Sequence, residues 1–270
     1  MRYIDTHAHV FSHQAPFAKD VRYTPDHTVT AEDYIRELDR YGFTHGVLIQ
    51  PSFYGEDNSY MLGAIAKFPE RLRGVAVVSE RMSLAAMQKL KDQGIVGVRL
   101  NLFGKPCPDL TETIWQQFLA RVTETGWQLE LHAPPKYLVQ LLPSLAAYTL
   151  DVVIDHFGRF DPETGVASAD YQAFLDMLSP QQHWVKVSGF YRLGKDNGVQ
   201  NAKDALALLL ARGMQARLIW GSDWPHTQHD EMSFDISLTT FKSIVGDDDL
   251  VKKILIDNNA KLFNVAHPIA

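Results

Sequence analysis

Two histidines stand two residues apart near the start of the chain, in Asp5-Thr6-His7-Ala8-His9. On an extended strand, side chains at i and i+2 project to the same side, so both imidazoles face one space. Similar groups end apolar runs much later. His132 closes Glu130-Leu131-His132, His156 follows Asp155, and Asp223 stands in Gly221-Ser222-Asp223-Trp224-Pro225-His226. Four imidazoles and a carboxylate form a donor set that suits zinc or a similar divalent ion. An isolated His-x-His pair is often incidental. It is the recurrence of such groups at the ends of separate apolar runs that points to a functional cluster.

A second set is cationic: Arg99, Lys105, Arg159 and Arg192, each at or just beyond the end of such a run. A guanidinium pairs with a carboxylate through two parallel hydrogen bonds. Several around one pocket predict an anionic substrate carrying one or more carboxylates. The bland alternative is solvated loop charge. Ser52, in Gln50-Pro51-Ser52, offers a hydroxyl to a substrate oxygen. Tyr23 lies in the long irregular segment Phe11–Val29, and long loops often carry function. His13, His27, His45, His183, His229 and His267 lack strand-end placement and are expected at surface or packing positions. Trp224 is expected to pack. Cys107, in a Pro-Cys-Pro loop, has no partner that would make it a nucleophile.

The apolar runs are Tyr3–Asp5, Gly46–Gln50, Gly74–Val78, Gly97–Leu102, Gln128–Leu131, Asp151–Ile154, Trp184–Val187 and Arg217–Trp220. They are continuous rather than alternating, as strands buried on both faces are. Between them lie stretches of helical period. Thr30 caps Ala31–Tyr41 and Gly42 ends it; Ser83 precedes Leu84–Gln93; Leu110–Thr125 stops at Gly126. Lys136–Ala147, Ser168–Leu178, Asn201–Arg212 and Asp247–Phe263 complete the set. Eight strands alternating with helices predict a TIM-type (β/α)8 barrel, one α/β domain over residues 1–270, with its active site at the strands' C-terminal ends. A doubly wound open sheet would more typically carry a glycine-rich phosphate turn after its first strand, where this chain has histidines.

The whole composition bounds the reading further. The chain has 270 residues, 46% hydrophobic, and a formal charge of -6. That argues against a nucleic-acid binder, which needs a basic face. No apolar run approaches a membrane span, so no membrane partner is expected. One cysteine allows no internal disulfide, and the first residues lack a signal peptide's pattern; a cytoplasmic monomer or homodimer is expected.

Taken together, these motifs resemble the amidohydrolase superfamily, and within it the branch of 2-pyrone-4,6-dicarboxylate hydrolases and sugar lactonases. The resemblance spans nearly the whole chain. It rests on Asp5-Thr6-His7-Ala8-His9, Gln50-Pro51-Ser52 with Asp57-Asn58, Arg71-Leu72-Arg73-Gly74-Val75-Ala76, Gly97-Val98-Arg99-Leu100-Asn101, Asp155-His156-Phe157-Gly158-Arg159 and Gly221-Ser222-Asp223-Trp224-Pro225-His226. It implies hydrolysis of a small anionic lactone, a carboxylated pyrone or a related muconolactone or aldonolactone. Asp223 would be the general base, and His7, His9 and His156 would surround the scissile carbonyl. Arg99, Lys105, Arg159, Arg192 and His226 would hold carboxylates or ring oxygens, with Ser52 and Tyr23 assisting. Lys105 replaces an arginine of the pyrone hydrolases and His132 replaces a tyrosine. The resemblance leaves two cofactor states open: none, as in the pyrone hydrolase, or one zinc or manganese ion on His7, His9, His132, His156 and Asp223. The alternatives on the same fold are a metal-dependent decarboxylase, a lactone isomerase, and a non-catalytic ligand-binding barrel.

Overall fold

The structure is a computed structural model that describes residues 3–19 and 21–263. His267 lies outside the described residues. The strands are β1 Tyr3–Ala8, β2 Phe43–Ile49, β3 Leu72–Ala76, β4 Ile95–Asn101, β5 Gln128–His132, β6 Val152–Ile154, β7 His183–Lys186 and β8 Leu218–Ile219. They run in sequence order as one parallel sheet, with every consecutive pair parallel. This is the expected (β/α)8 barrel. The helices outside it are α1 Ala31–Tyr41, α2 Ser59–Lys67, α3 Leu84–Asp92, α4 Thr113–Thr125, α5 Pro135–Leu145, α6 Ala169–Asp176, α7 Gly198–Ala211, α8 Phe234–Val245, α9 Asp248–Lys252 and α10 Asn259–Phe263. Among the described residues, no helix is long and apolar enough to cross a membrane.

Local chemistry accounts for the helix limits. Thr30 and Asp33 form a reciprocal capping box at the start of α1, and Gly42 closes it in the left-handed conformation, φ 76°. Ala31, Tyr34 and Leu38 then lie on its buried face. Helices α2 and α8 occupy stretches that the sequence reading leaves unassigned. The residue before α2, Asn58, gives it no side-chain cap; its amide instead bonds both backbone groups of Val77, at 2.8 and 3.2 Å. The expected single helix Asp247–Phe263 is broken by a π-helical stretch, Lys253–Asn258. The break turns Asn258 and Asn259 inward. Asn259 Nδ2 donates to the carbonyls of Ile4 (2.7 Å) and Trp220 (3.2 Å), tying the C-terminal segment to the first and last strands.

Inside the barrel, alternation with period two stacks the side chains in layers. Val47, Ile49, Val75, Val153, Trp184 and Ile219 form an apolar layer against which Phe263 packs. Two residues on from Val153 and Trp184 come Asp155 and Lys186; Glu130 and Arg99 join them, all at most 4% exposed. Above this charged layer lies the mouth.

The seam between β8 and β1 has, among the described residues, no regular ladder, only the isolated bridge Ala8–Trp224. Three backbone bonds span it: Thr6 N to Trp220 O (3.3 Å), Asp223 N to His7 O (2.8 Å) and His9 N to Trp224 O (2.8 Å). Asp5 reinforces it, accepting from Ser222 N (2.7 Å), Ser222 Oγ (2.6 Å) and Tyr34 Oη (2.9 Å). Between Asp5 and Ala8, three steps along β1 oppose two along β2. This bulge lets Asp5 reach α1 while His7, only two residues later, faces the interior. Gly221 permits the close approach, because a Cβ there would lie 2.3 Å from His7 N. Gly221→Ala should therefore push β1 away from β8. The expected cost is about 1–3 kcal/mol, read as a lower Tm, with kcat reduced on the order of 10²-fold because His7 moves. Unchanged Tm and kcat would show that the seam relaxes without consequence.

Candidate active site

The strand ends surround a cavity of about 470 Å³. His7, His9, Ser52, Arg99, His132, His156, Arg159, Arg192, Asp223 and Tyr23 all line it. The structure thus brings together ten of the twelve expected site residues. A larger hollow of about 740 Å³, lined by Trp127, Leu142 and Gln182, holds none of these groups.

Two expected residues stand elsewhere. Lys105 is exposed on the loop after β4 and does not line the cavity. His226 is 2% exposed and sits behind the wall, its Nδ1 3.2 Å from Tyr191 Oη. Tyr23 does reach over the mouth, where its hydroxyl donates to Thr227 Oγ1 at 2.9 Å. Trp224 packs as expected, stacked on Tyr34.

Asp223 is the best-held group. Tyr191 Oη donates to its Oδ2 at 2.7 Å and Arg192 Nε at 2.5 Å. Its Oδ1 lies 3.7 Å from His7 Nε2 and 3.6 Å from His9 Nε2. Burial alone would raise its pKa, but the opposing influences, the Arg192 charge foremost among them, more than offset this and hold it well below the usual carboxylate range. Three of the imidazoles, those of His7, His132 and His156, are held neutral by burial. Burial pushes His156 down to about 3, and pushes His7 and His132 well below their ordinary value. Backbone strain accompanies this placement: His156, Asp223 and His226 have φ of 46°, 62° and 65°. Gly189, at φ +66°, makes room for His156, since a Cβ there would meet Nδ1 at 2.8 Å.

The cations differ in how far they are already committed. Arg99 Nε and Nη2 donate to Asp155 Oδ2 at 3.0 and 2.6 Å, and Nε lies 3.3 Å from Glu130 Oε1. Arg192 is engaged with Asp223. The Arg159 guanidinium makes no ion pair among the described residues; it lies over the Phe103 ring, 4.5 Å from its centroid. Burial, then the Arg192 charge, lowers its pKa to about 10. An anion in the cavity would relieve that cost.

Two trios come within reach of one metal ion: His7, Asp155 and His156, and His7, His9 and Asp223. His132 is in neither; its Nδ1 faces Asn101 Oδ1 at 3.0 Å. Each trio already carries a cation. Lys186 Nζ sits 3.0 Å from His7 Nδ1 and 3.3 Å from Asp155 Oδ1, and Arg192 occupies Asp223 Oδ2.

The sequence reading gave no role to Lys186, Glu130, Asp155, Tyr191, Arg22 or His229. Lys186 carried a signal, being a lysine two residues after Trp184 within a continuous apolar run. Arg22 and His229 reach the cavity from irregular segments and carried none.

The amidohydrolase family model matches residues 4–265. The chain belongs to the amidohydrolase family. Among amidohydrolases similar to it, the probable 2-pyrone-4,6-dicarboxylic acid hydrolase of Acinetobacter baumannii, solved with citric acid bound, superposes with a TM-score of 0.96 at 51% identity, over 98% of this chain and 100% of that one. The 2-pyrone-4,6-dicarboxylate hydrolase of Comamonas testosteroni is 34% identical, over 96% of this chain and 89% of its own. The 4-sulfomuconolactone hydrolase of Rhizobium radiobacter is 30% identical, over 97% and 89%.

The arrangement makes a pH prediction for this amidohydrolase. Arg192 holds the Asp223 pKa down, so Arg192→Met leaves burial as the dominant influence and the pKa rises. The acid limb of the kcat/KM profile should move to higher pH by about 1–3 units. An unmoved limb would show that Arg192 does not control Asp223.

Proposed function

We propose that this amidohydrolase opens a lactone bearing acid groups by adding water across its ester bond, with Asp223 as general base. The observation that carries this reading is the combination of Asp223, ionised and with Oδ1 making no hydrogen bond among the described residues, and a half-buried Arg159 that makes no ion pair among them. The first suits activation of water and the second calls for an anionic substrate. The named relatives hydrolyse a pyrone dicarboxylate and a sulfomuconolactone, both cyclic esters with acidic substituents.

In this reading Arg159, with Arg99, seats an acid group of the substrate and so orients the ring. Water bound to Asp223 Oδ1 attacks the lactone carbonyl as Asp223 takes its proton. The imidazoles beside the carbonyl stabilise the oxyanion. Collapse breaks the ring C–O bond, and the proton held by Asp223 passes to the departing oxygen. The product is the open-chain acid, heavier by one water. An isomerase would give no such gain, and a decarboxylase would release carbon dioxide.

A divalent ion does not suit either trio of donors. In each, a side-chain cation already lies within 3.0 Å or less of a ligand atom, where like charges repel strongly in a buried site. The reading routes no step through a metal.

A panel of pyrone dicarboxylates, muconolactones and aldonolactones, each with and without chelator, tests this. Hydrolysis of at least one acid-bearing lactone, insensitive to chelator, is expected. Asp223→Asn should lower kcat by on the order of 10³-fold with little change in substrate affinity. Full turnover by that variant would remove Asp223 from the chemistry. Loss of activity with chelator, restored by zinc or manganese, would overturn the metal-free reading.

A further inference from the structure

The two histidines of the His-x-His pair rest on opposite kinds of group. Beneath His7 is Lys186, fully buried, whose Nζ lies 3.0 Å from His7 Nδ1 and donates to Glu130 Oε2 at 2.5 Å. Asp155 Oδ1, at 3.3 Å, supplies a second negative charge. Flanked by two carboxylates, Lys186 is an ammonium, which has hydrogens to give and no lone pair. His7 Nδ1 must therefore accept, and the ring's proton sits on Nε2. The other tautomer would need Nδ1–H to donate to Asp155 Oδ1 at 3.6 Å, beyond hydrogen-bond reach. His7 Nε2 is buried and without a partner. Beneath His9 is the carbonyl oxygen of Ile49, 2.8 Å from Nδ1. A carbonyl only accepts, so a proton sits on His9 Nδ1, and in the neutral ring Nε2, 3.6 Å from Asp223 Oδ1, then presents a lone pair.

We infer that the pair is split by these supports: Lys186 fixes His7 as a hydrogen-bond donor to the substrate carbonyl, and the Ile49 carbonyl fixes His9 as an acceptor for the attacking water. Lys186 is thus a positioning residue that acts through His7. The water gives one hydrogen to Asp223 Oδ1 and the other to His9 Nε2, which turns its lone pair toward the carbonyl. Asp223 takes the proton and His9 only holds its hydrogen bond. The burial that keeps His7 neutral, reinforced by the Lys186 charge, agrees with a donor that does not titrate away. What Nε2–H of His7 meets rests on the lactone reading; the tautomers themselves do not.

Long-range ¹H–¹⁵N spectra of the full-length protein labelled at histidine distinguish Nδ1–H, Nε2–H and imidazolium forms. His7→Asn and His9→Asn assign the two rings by loss of signal. The expected result is Nε2–H for His7 and Nδ1–H for His9. The same tautomer at both, or an imidazolium at either, overturns the inference. Lys186→Met, paired with Glu130→Gln so that no lone charge is buried, should abolish the single Nε2–H signature of His7. It should lower kcat about 10²–10³-fold, the loss expected for one oxyanion donor, with KM within about threefold. An unchanged His7 spectrum in that variant would reduce Lys186 to a structural role. If the variant fails to fold, the wild-type spectrum alone decides. A barren lactone panel with the expected spectrum would defeat the functional reading and leave the split pair standing; the reverse outcome would do the opposite.

Discussion

The contact on which the site depends is the backbone hydrogen bond from Asp223 N to His7 O, 2.8 Å long, where the last strand meets the first. Closing a barrel costs the entropy of bringing its ends together, here across more than two hundred residues. Side-chain hydrogen bonds reinforce that closure. Asp5 grips Ser222 by two bonds, and Asn259 holds the carbonyls of Ile4 and Trp220. Burial pushes the Asp5 pKa up to about 6, against the pull of its hydrogen bonds. The bulge in β1 resolves the resulting conflict: one residue must reach outward to the seam and another, two positions later, must face the interior. The same distortion that closes the barrel therefore aims His7 at Asp223.

Charge placement follows from burial. Ions sealed in a low-dielectric interior are tolerable only when paired. The interior layer obeys this, with Arg99 and Lys186 set against Glu130 and Asp155, and Arg192 set against Asp223. Two cations against two carboxylates leave this layer neutral when all four are ionised, and the proximity of Asp155 shows in Glu130, whose pKa is raised to about 7 by its burial and then by the Asp155 charge. Arg159 departs from the rule: half-buried at the mouth, it makes no ion pair among the described residues and lies over the Phe103 ring. A departure of that kind in an otherwise balanced interior marks where a ligand's charge belongs.

Much of this was legible in the sequence, for identifiable reasons. The barrel could be read because buried parallel strands leave continuous apolar runs, and because caps such as Thr30 and Ser83 act locally. The core of the site could be read because function gathers at the C-terminal ends of those strands. Lys105 and His226 show the limit of that rule. Both follow strand ends in sequence, yet one points to solvent and the other lies behind Tyr191. Loop direction depends on φ, and neither local spacing nor residue type encodes a φ of 65° at a histidine. At α2 the local cap is diverted: Asn58, a residue type that caps helices, spends its amide on Val77, so the start of this helix is set by tertiary contact. Lys186 was visible as a letter but not as a role, since its meaning lies in Glu130 and His7, 56 and 179 residues away.

The strain at the mouth has a structural source. His156, Asp223 and His226 each sit in the left-handed region, at a cost of about 1–3 kcal/mol apiece for residues with a Cβ. Such conformations persist only where the surroundings over-determine them. For Asp223 they do: its own N–H is fixed by His7 O, and its carboxylate by Tyr191 and Arg192. For His156, Gly189 clears the space and Ser188 Oγ lies 3.1 Å from Nδ1. Rigidity supplied by the seam and the charged layer is thus converted into fixed directions for a carboxylate oxygen and three imidazoles. Directions held before the substrate arrives need no reorganisation when charge develops on it, and that is where buried dipoles and donors contribute most to rate.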